Sequence, residues 1–265
     1  MRICCWNVRR ASRTSAAWEL FRELSPDVAL LQEVQGMPPE ISQAYQVTMH
    51  RSAGSKHGTY QRFNAAILVR GTVGPPIPLS TRWDWVNREL EHFRGNLVAQ
   101  EILVGGNRYR AMSVYSPAWP VDPERLQGVD VAPVKLTQNP KVWVTELLWA
   151  ALSEASASED VAWIVGGDLN ASVTFDYMWG AKPRGNQEIL DRMQSLGLRE
   201  CLRQFHGCLV PTFRSPRGGQ VVHQMDHLFV SKSLADDLTS CVTGDARRVF
   251  GDSLSDHLPI IADFS

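Results

Sequence analysis

The stretch VAWIVGGDLNAS, residues 161–172, decides how the rest of the chain is interpreted. An apolar run ends in two glycines, and Asp168 and Asn170 then stand two positions apart. The apolar run predicts a buried β-strand, and side chains two apart in an extended segment point the same way. We therefore expect Gly166 and Gly167 to form an elbow that lets the backbone approach a ligand closely, with Asp168 and Asn170 facing it together.

Short runs with the composition of β-strands recur along the whole chain. They lie at residues 2–8, 27–34, 64–70, 96–104, 108–116, 161–168, 225–231 and 258–264. Several alternate apolar and polar residues or are wholly apolar, as strands with one or two covered faces are. Gly105-Gly106-Asn107, between two of these runs, predicts a hairpin turn.

Helical periodicity is clearest at residues 15–24, 140–155 and 186–196. Asn139 is the predicted cap of the second helix, with Pro140 at its first position, and Gly197 follows the third. Residues 117–140 are rich in proline and aperiodic. A loop of this length in a compact domain is often functional, so we interpret it as a candidate substrate lid.

Strands occur from the first residues to the last, with helices between them and no long linker. The sequence therefore predicts one domain, residues 1–265, with a core of two packed sheets flanked by helices.

Composition excludes several classes of protein. The net charge of −1 and a pI of about 6.7 provide no global basic field for coating nucleic acid, although a local basic groove stays possible. The five cysteines are odd in number and contain no C-x-x-C pair, which argues against a disulfide framework or a structural zinc site and favours a reducing, cytoplasmic location. We expect neither a membrane span nor a cleaved signal peptide.

Polar side chains cluster at the ends of the apolar runs. They are Asn7, Glu33, Tyr115, Asp168, Asn170, Asp226, Asp256 and His257. Any one of them fits an ordinary strand end, but ends of strands in one sheet converge in space. Oxygen ligands without cysteine suit Mg²⁺ or Mn²⁺, which share phosphate oxygens with a substrate. Together the set indicates phosphoester hydrolysis.

Six motifs then carry a family resemblance over nearly the whole chain. They are CWNVR (5–9), LLQEV (30–34), VYSP (114–117), GGDLNA (166–171), MDHLFVS (225–231) and SDHLPI (255–260). In this order they resemble the endonuclease/exonuclease/phosphatase superfamily, which includes deoxyribonuclease I. The resemblance implies an α/β fold, a four-layered sandwich of two packed, mostly antiparallel β-sheets flanked by helices, with the site at one end of the sheets.

The resemblance also implies a role for each residue. Glu33 and Asp256 resemble direct metal ligands, and Asn7 belongs to the same metal and substrate site. Asp168 resembles the carboxylate that orients or deprotonates the attacking water, and Asn170 its neighbour on the phosphate. His257 resembles the imidazole on the scissile phosphate, with Asp226 as its orienting carboxylate. Tyr115 stands where relatives have a phosphate-contacting Tyr or His.

Departures from the pattern lower the weight of an apurinic endonuclease. Arg9 stands where many of those enzymes have Asp, Ala118 where they have Asn, and His223 and Gln224 where many relatives carry Arg. Arg9 is either a contact to a substrate phosphate or a surface charge.

The resulting hypothesis is a metal-dependent phosphodiesterase, a nuclease acting on DNA or RNA, without an obligate protein partner. The alternatives are a phosphomonoesterase, a lipid-headgroup phosphodiesterase and a non-catalytic binding protein; the number of ions stays open.

Overall fold

The structure, a computed structural model, describes residues 1–51, 61–155, 161–178, 184–215 and 219–265. The strands in these residues are β1 Arg2–Asn7, β2 Val28–Val34, β3 Gln46–Met49, β4 Asn64–Val69, β5 Thr72–Pro76, β6 Leu97–Val104, β7 Asn107–Tyr115, β8 Ala162–Asp168, β9 Leu198–Glu200, β10 Asp226–Ser231, β11 Leu238–Thr243 and β12 Ile260–Phe264. The helices are α1 Ala17–Leu24, α2 Pro39–Ala44, α3 Asp84–His92, α4 Val144–Ala155, α5 Asn186–Ser195, α6 Cys201–His206, α7 Lys232–Ala235 and α8 Ala246–Gly251.

The strands form two six-stranded sheets. Sheet A has the order β11-β12-β1-β2-β4-β3, and sheet B has the order β5-β6-β7-β8-β10-β9. Only the central pairs β1/β2 and β7/β8 are parallel among these strands, and the other neighbours are antiparallel. The predicted mostly antiparallel pair of sheets is confirmed.

The two sheets pack face to face through alternating side chains. Along β1, Ile3 and Cys5 lie in the cluster between the sheets, and Cys4 and Trp6 lie in the cluster on the outer face of sheet A. The period of two therefore gives each central strand two apolar faces, as expected for strands covered on both sides. Cys4 and Cys5 are fully buried, one on each face of sheet A.

Helices cover the two outer faces. Trp18 and Phe21 of α1, with Phe250 of α8, pack on the outer face of sheet A. Helices α3, α4 and α5 pack on the outer face of sheet B, where Leu147 and Met193 contribute to one apolar cluster. The order helix, sheet, sheet, helix is the four-layered sandwich that the sequence predicted.

Most of the predicted elements are confirmed. All eight predicted strands are present, and Gly105 and Gly106 form the predicted hairpin turn, with positive φ at both positions and Val104 paired with Asn107. One helix start is wrong: α4 begins at Val144, not at Pro140. The backbone N–H of Val121 donates to the carbonyl of Val142. This hydrogen bond holds the residues just before α4 against the start of the preceding loop, so they do not join the helix.

Two further findings concern the chain as a whole. The five cysteines are free thiols, and Cys208 is the exposed one. Among the described residues, no helix combines the length and the apolar character needed to cross a membrane.

Candidate active site

Strand direction brings the candidate residues to one edge of both sheets. Because β1 runs parallel to β2, and β7 parallel to β8, their carboxyl ends meet at the same edge. Tyr115 pairs with Asp168, and Asp226 at the start of antiparallel β10 pairs with Asp168 from the other side. Tyr115, Asp168 and Asp226 therefore stand side by side at the end of sheet B.

Asp168 is held by two amide side chains. Asn7 Nδ2 donates to Asp168 Oδ2 at 2.9 Å across the gap between the sheets. The Asn170 backbone N–H donates to Asp168 Oδ1 at 2.8 Å, and Asn170 Nδ2 donates to the Ser116 carbonyl at 2.7 Å. Asp168 is 1% exposed, so both of its oxygens are oriented inside the protein.

The glycines act differently from the prediction. Gly166 and Gly167 lie inside β8, not in an elbow after it. A Cβ on Gly167 would lie 1.7 Å from the Val114 carbonyl oxygen, and a Cβ on Gly166 would lie 3.0 Å from Leu30 Cδ1. The glycines thus allow close packing of β8 on β7 and on sheet A, rather than close approach of a phosphate.

Asp168 and Asn170 do meet, but through a turn. Asn170 has a left-handed backbone with φ of 47°, so the alternation of an extended segment does not apply. Asn is one of the residues that tolerate this conformation. The turn brings Asn170 Nδ2 to 3.2 Å from Asp168 Oδ2.

A second buried group contains His257 and Asp226. His257 Nδ1 lies 2.8 Å from Asp226 Oδ2, and His257 Nε2 lies 3.8 Å from Asp168 Oδ2. Thr212 Oγ1 donates to the same Asp226 oxygen at 2.7 Å and accepts the backbone N–H groups of Met225 and Asp226. The carboxylate thereby fixes the ring orientation of His257.

The electrostatics of this group are dominated by burial and by neighbouring charge. Burial raises the pKa of Asp168 well above its usual range, against the opposing charge of His257. Burial by itself lowers the pKa of His257, but the charges of Asp226 and Asp168 outweigh it, and the pKa ends above its ordinary value. The two carboxylates therefore favour the protonated form of His257, whose Nε2 faces Asp168.

Tyr115 is a neutral donor in the same wall. Burial, together with the charges of Glu33 and Asp168, raises the pKa of its phenol above the ordinary value. The Tyr115 ring packs edge-on against Phe63, with the centroids 5.3 Å apart.

The remaining candidates line an open cavity of about 330 Å³ beside this group. Its walls are Arg9, Arg10, Glu33, Asp256 and His257. A bulge in β2 between Leu31 and Val34 gives Glu33 a left-handed backbone, with φ of 57°. Burial raises the pKa of Glu33. The structure therefore brings all of the predicted site residues to one edge, and Arg10 joins them.

Two carboxylate sets in this region could hold a divalent cation. Ligand atoms of Asp168, Asp226 and His257 lie within 4.8 Å of one another. Asp226 Oδ2 is already engaged, because it accepts from His257 and Thr212, whereas Asp226 Oδ1 is buried and has no hydrogen-bond partner among the described residues. Glu33 and Asp256 face the cavity with side chains 15% and 19% exposed. Hard oxygen donors on an open cavity fit Mg²⁺ or Mn²⁺, and we favour the Glu33 and Asp256 set.

A second cavity, of about 240 Å³, adjoins the site on the side of Asn170. Its lining is mainly apolar and includes Ser116, Leu136, Trp143 and Met225. Leu136 lies in residues 117–140, which the sequence predicted as a substrate lid, and Trp143 follows three residues after that segment. Ser116 Oγ and Trp143 Nε1 are buried and have no hydrogen-bond partner among the described residues.

The sequence analysis did not identify three polar residues that support the site. Thr212 donates to Asp226 and holds its carboxylate in place. Ser255 Oγ donates to the Asn7 carbonyl at 2.7 Å and accepts the His257 N–H. His227 Nε2 lies 3.4 Å from the carbonyl oxygen of Ala171. The signal available for Ser255 and His227 was their place inside the SDH and MDH motifs.

Comparison with known proteins agrees with this geometry. The chain matches the model of the Endonuclease/Exonuclease/phosphatase family over residues 4–257. No curated protein matches it.

Many solved structures share the fold, among them the following three. An AP endonuclease from Archaeoglobus fulgidus aligns with a TM-score of 0.69 and 19% identity, covering 100% of this chain and 99% of that one. The 3′ phosphatase NExo from Neisseria, bound to product DNA hairpin, aligns with a TM-score of 0.67 and 19% identity, covering 100% and 99%. The catalytic domain of APE2 from Xenopus laevis aligns with a TM-score of 0.67 and 19% identity, covering 100% and 91%.

The family match spans the site residues from Asn7 to His257, and the structure brings those residues to one edge of two packed sheets. The chain therefore belongs to the endonuclease/exonuclease/phosphatase family, and with it to the phosphoester hydrolases.

Proposed function

We propose that the protein is a nuclease that hydrolyses a phosphodiester bond in nucleic acid with the help of Mg²⁺ or Mn²⁺. One observation carries the proposal: Asp168 is buried, oriented by Asn7 and Asn170, and faces the His257 imidazole at the edge of an open cavity. The proteins compared above are described as an AP endonuclease, a 3′ phosphatase bound to DNA and APE2, which favours DNA as the polymer.

In this proposal Asp168 is the general base. A carboxylate whose pKa is raised by burial holds a proton far better than an exposed one, and so accepts one from the attacking water near neutral pH. Asn7 and Asn170 donate to its two oxygens and fix the direction from which the water approaches phosphorus. This positioning supplies part of the rate acceleration.

His257 and Tyr115 contact the phosphate. His257 is positively charged and Tyr115 is a neutral phenol, so both donate hydrogen bonds to oxygens that gain negative charge in the transition state. Asp226 holds the ring of His257 through Nδ1, which leaves Nε2–H for the substrate. Asn170 completes the phosphate contacts.

Glu33 and Asp256, assisted by Asn7, are the proposed cation ligands. A bound divalent ion supplies Lewis acidity, which screens charge on the phosphate and the leaving oxygen. Asn7 Nδ2 lies 3.5 Å from Glu33 Oε1 and orients that carboxylate toward the cavity.

The cavity beside Asn170 favours a nucleotidyl substrate over a small ester. Its volume of about 240 Å³ and its apolar walls, next to the position proposed for the phosphate, suit a nucleoside. Ala118 is one of its walls, in the place where a larger Asn was expected for an apurinic endonuclease.

A substrate panel tests the proposal. Purified protein is incubated with plasmid DNA, RNA, a chromogenic phosphodiester, a chromogenic phosphomonoester and sphingomyelin vesicles, each with Mg²⁺, Mn²⁺ or EDTA. We expect cleavage of a nucleic acid that EDTA abolishes. The Asp168→Asn variant should lose at least about 100-fold in rate, the low end of what a positioned base contributes. Asp236→Asn, a matched change at an exposed position, should keep the wild-type rate.

The other outcomes identify the alternatives. Turnover of the monoester alone would establish a phosphomonoesterase, and turnover of sphingomyelin alone a lipid-headgroup phosphodiesterase. Binding of nucleic acid without any turnover would establish a non-catalytic binding protein. Full activity of Asp168→Asn on its best substrate would overturn the assignment of the base.

A further inference from the structure

We propose that Arg9 and Arg10 form one subsite for the backbone phosphate next to the scissile one. The inference rests on the proposed function, because it requires a polynucleotide substrate. It goes beyond the single contact expected of Arg9, since it assigns a role to Arg10 and places a second phosphate in the cavity lined by Arg9, Arg10, Glu33, Asp256 and His257.

The two arginines are close to the site but only loosely bound to it. Arg9 Nε lies 3.8 Å from Asp256 Oδ2, and Arg10 Nε lies 3.7 Å from Glu33 Oε2. Both distances exceed a hydrogen bond. The arginine side chains are 47% and 66% exposed, and exposed pairs of this kind contribute about 0–1 kcal/mol. Turning either guanidinium toward a substrate therefore costs little.

Their position determines which phosphate they meet. Glu33 presents Oε1 to Asn7, on the side of Asp168, and Oε2 to Arg10. The arginines thus stand beyond the carboxylates proposed to hold the cation, away from the general base. The nucleoside cavity is lined by Asn170 and shares no lining residue with the cavity of the arginines. The order along the substrate is then nucleoside, scissile phosphate, next phosphate.

The backbone holds both arginines in an unusual conformation. Arg9 and Arg10 are consecutive non-glycine residues with left-handed φ values of 49° and 57°. Each such residue costs about 1–3 kcal/mol and persists only where its surroundings fix it. Here the Arg9 N–H donates to Asn7 Oδ1 at 2.9 Å, and the Arg10 guanidinium lies over the Phe63 ring at 5.3 Å.

The chemistry of guanidinium suits a diester phosphate. Its planar set of N–H donors matches two phosphate oxygens at once, and its charge is permanent. The whole chain carries a net charge of −1, so a local pair of cations must supply the attraction that a basic surface would otherwise give.

Binding measured without catalysis tests the proposal. Two competitors, a dinucleotide with one internucleotide phosphate and a trinucleotide with two, are titrated in EDTA against a fluorescent single-stranded oligonucleotide. For wild type we expect the second phosphate to improve affinity about tenfold, which is about 1.4 kcal/mol. In the Arg9→Gln/Arg10→Gln protein that gain should fall below about threefold, and the slope of log affinity against log salt should decrease by about one to two.

Two control variants separate charge, geometry and folding. Arg22→Gln/Arg247→Gln removes the same two charges from exposed positions on α1 and α8, on the outer face of sheet A, and should keep the full gain. Arg9→Lys/Arg10→Lys keeps the charge and should keep the salt slope while losing part of the gain, since an ammonium cannot bind two oxygens in the plane of a fork. Melting temperatures verify that each variant is folded.

The result that overturns the inference is a trinucleotide gain that is equal in wild type and in the Arg9→Gln/Arg10→Gln protein. This differs from failure of the proposed function, in which wild type itself neither binds nor cleaves the oligonucleotide.

Discussion

Replacing Thr212 by Val tests whether the hydroxyl under Asp226 is part of the catalytic arrangement. Thr212 is fully buried, and Val has nearly the same shape. The substitution removes the 2.7 Å hydrogen bond to Asp226 Oδ2, which for a charged acceptor is worth about 1.5–3 kcal/mol. It also strands the N–H groups of Met225 and Asp226, at about 1–3 kcal/mol each. We expect the free energy of unfolding to fall by roughly 3–6 kcal/mol, since such losses are only partly additive.

The effect on catalysis follows from the shared oxygen. Asp226 Oδ2 accepts from both Thr212 and His257, so without the hydroxyl the carboxylate is less well oriented and the imidazole loses its fixed direction. A positioned acid or base contributes about 10²–10⁴-fold, and misplacing His257 should forfeit about 10–100-fold of kcat. KM should change little, because substrate contacts away from His257 are intact.

Thr212→Ser is the matched control, because it keeps the oxygen and removes only a methyl group. Steady-state kinetics and urea denaturation are measured for both variants at a temperature where each is folded. We expect the Ser variant to stay within about threefold of the wild-type kcat, since its hydroxyl can still meet Asp226. Equal kcat values in the Ser and Val variants would refute the reasoning.

Three further predictions concern other parts of the site and its support. Glu33→Gln should raise the Mg²⁺ concentration for half-maximal activity by about tenfold or more, and an unchanged metal titration would exclude Glu33 as a ligand. His227→Leu should lower kcat more than His227→Gln, whose amide can still donate to the Ala171 carbonyl; kinetics of the two variants decide. Burial raises the pKa of Glu146 in α4 from 4.5 to about 7, so the associated stability is present below pH 4.5 and is lost as the pH rises through 7. The Glu146→Gln variant should therefore have a free energy of unfolding roughly 3 kcal/mol above that of wild type at pH 8 and equal to it at pH 4.5. Urea denaturation measures both, and the same difference between variant and wild type at the two pH values would contradict this.

The central strands were predictable because both of their faces are buried. β1 and β2 contribute side chains to the layer between the sheets and to the layer under the helices, so their sequences are almost continuously apolar. The edge strands carry no such signal. β3 is mostly exposed, and β5 ends in Pro75-Pro76. Neighbouring strands, not local sequence, determine these segments.

The residues of the site also divide into those that the sequence identified and those that it did not. Asp168, Asp226 and His257 lie in motifs at the ends of apolar runs, which is why the sequence identified them. Thr212 lies outside any strand, next to Phe213, which forms isolated bridges to His223 and His257. Its role arises from a contact fourteen positions along the chain, and no local pattern encodes it.

Strained backbone conformations explain why hydrophobic periodicity did not predict the directions of the side chains at the site. Among the described residues, six non-glycine positions have positive φ, and four of them, Arg9, Arg10, Glu33 and Asn170, lie at the site. Each conformation is locally unfavourable by about 1–3 kcal/mol, so local propensity argues against it. Tertiary contacts impose it: the bulge in β2 turns Glu33 toward the cavity, and hydrogen bonds to Asp168 and Ser116 hold Asn170. The same contacts that make these residues unpredictable from local sequence are the ones that aim their side chains at a common point.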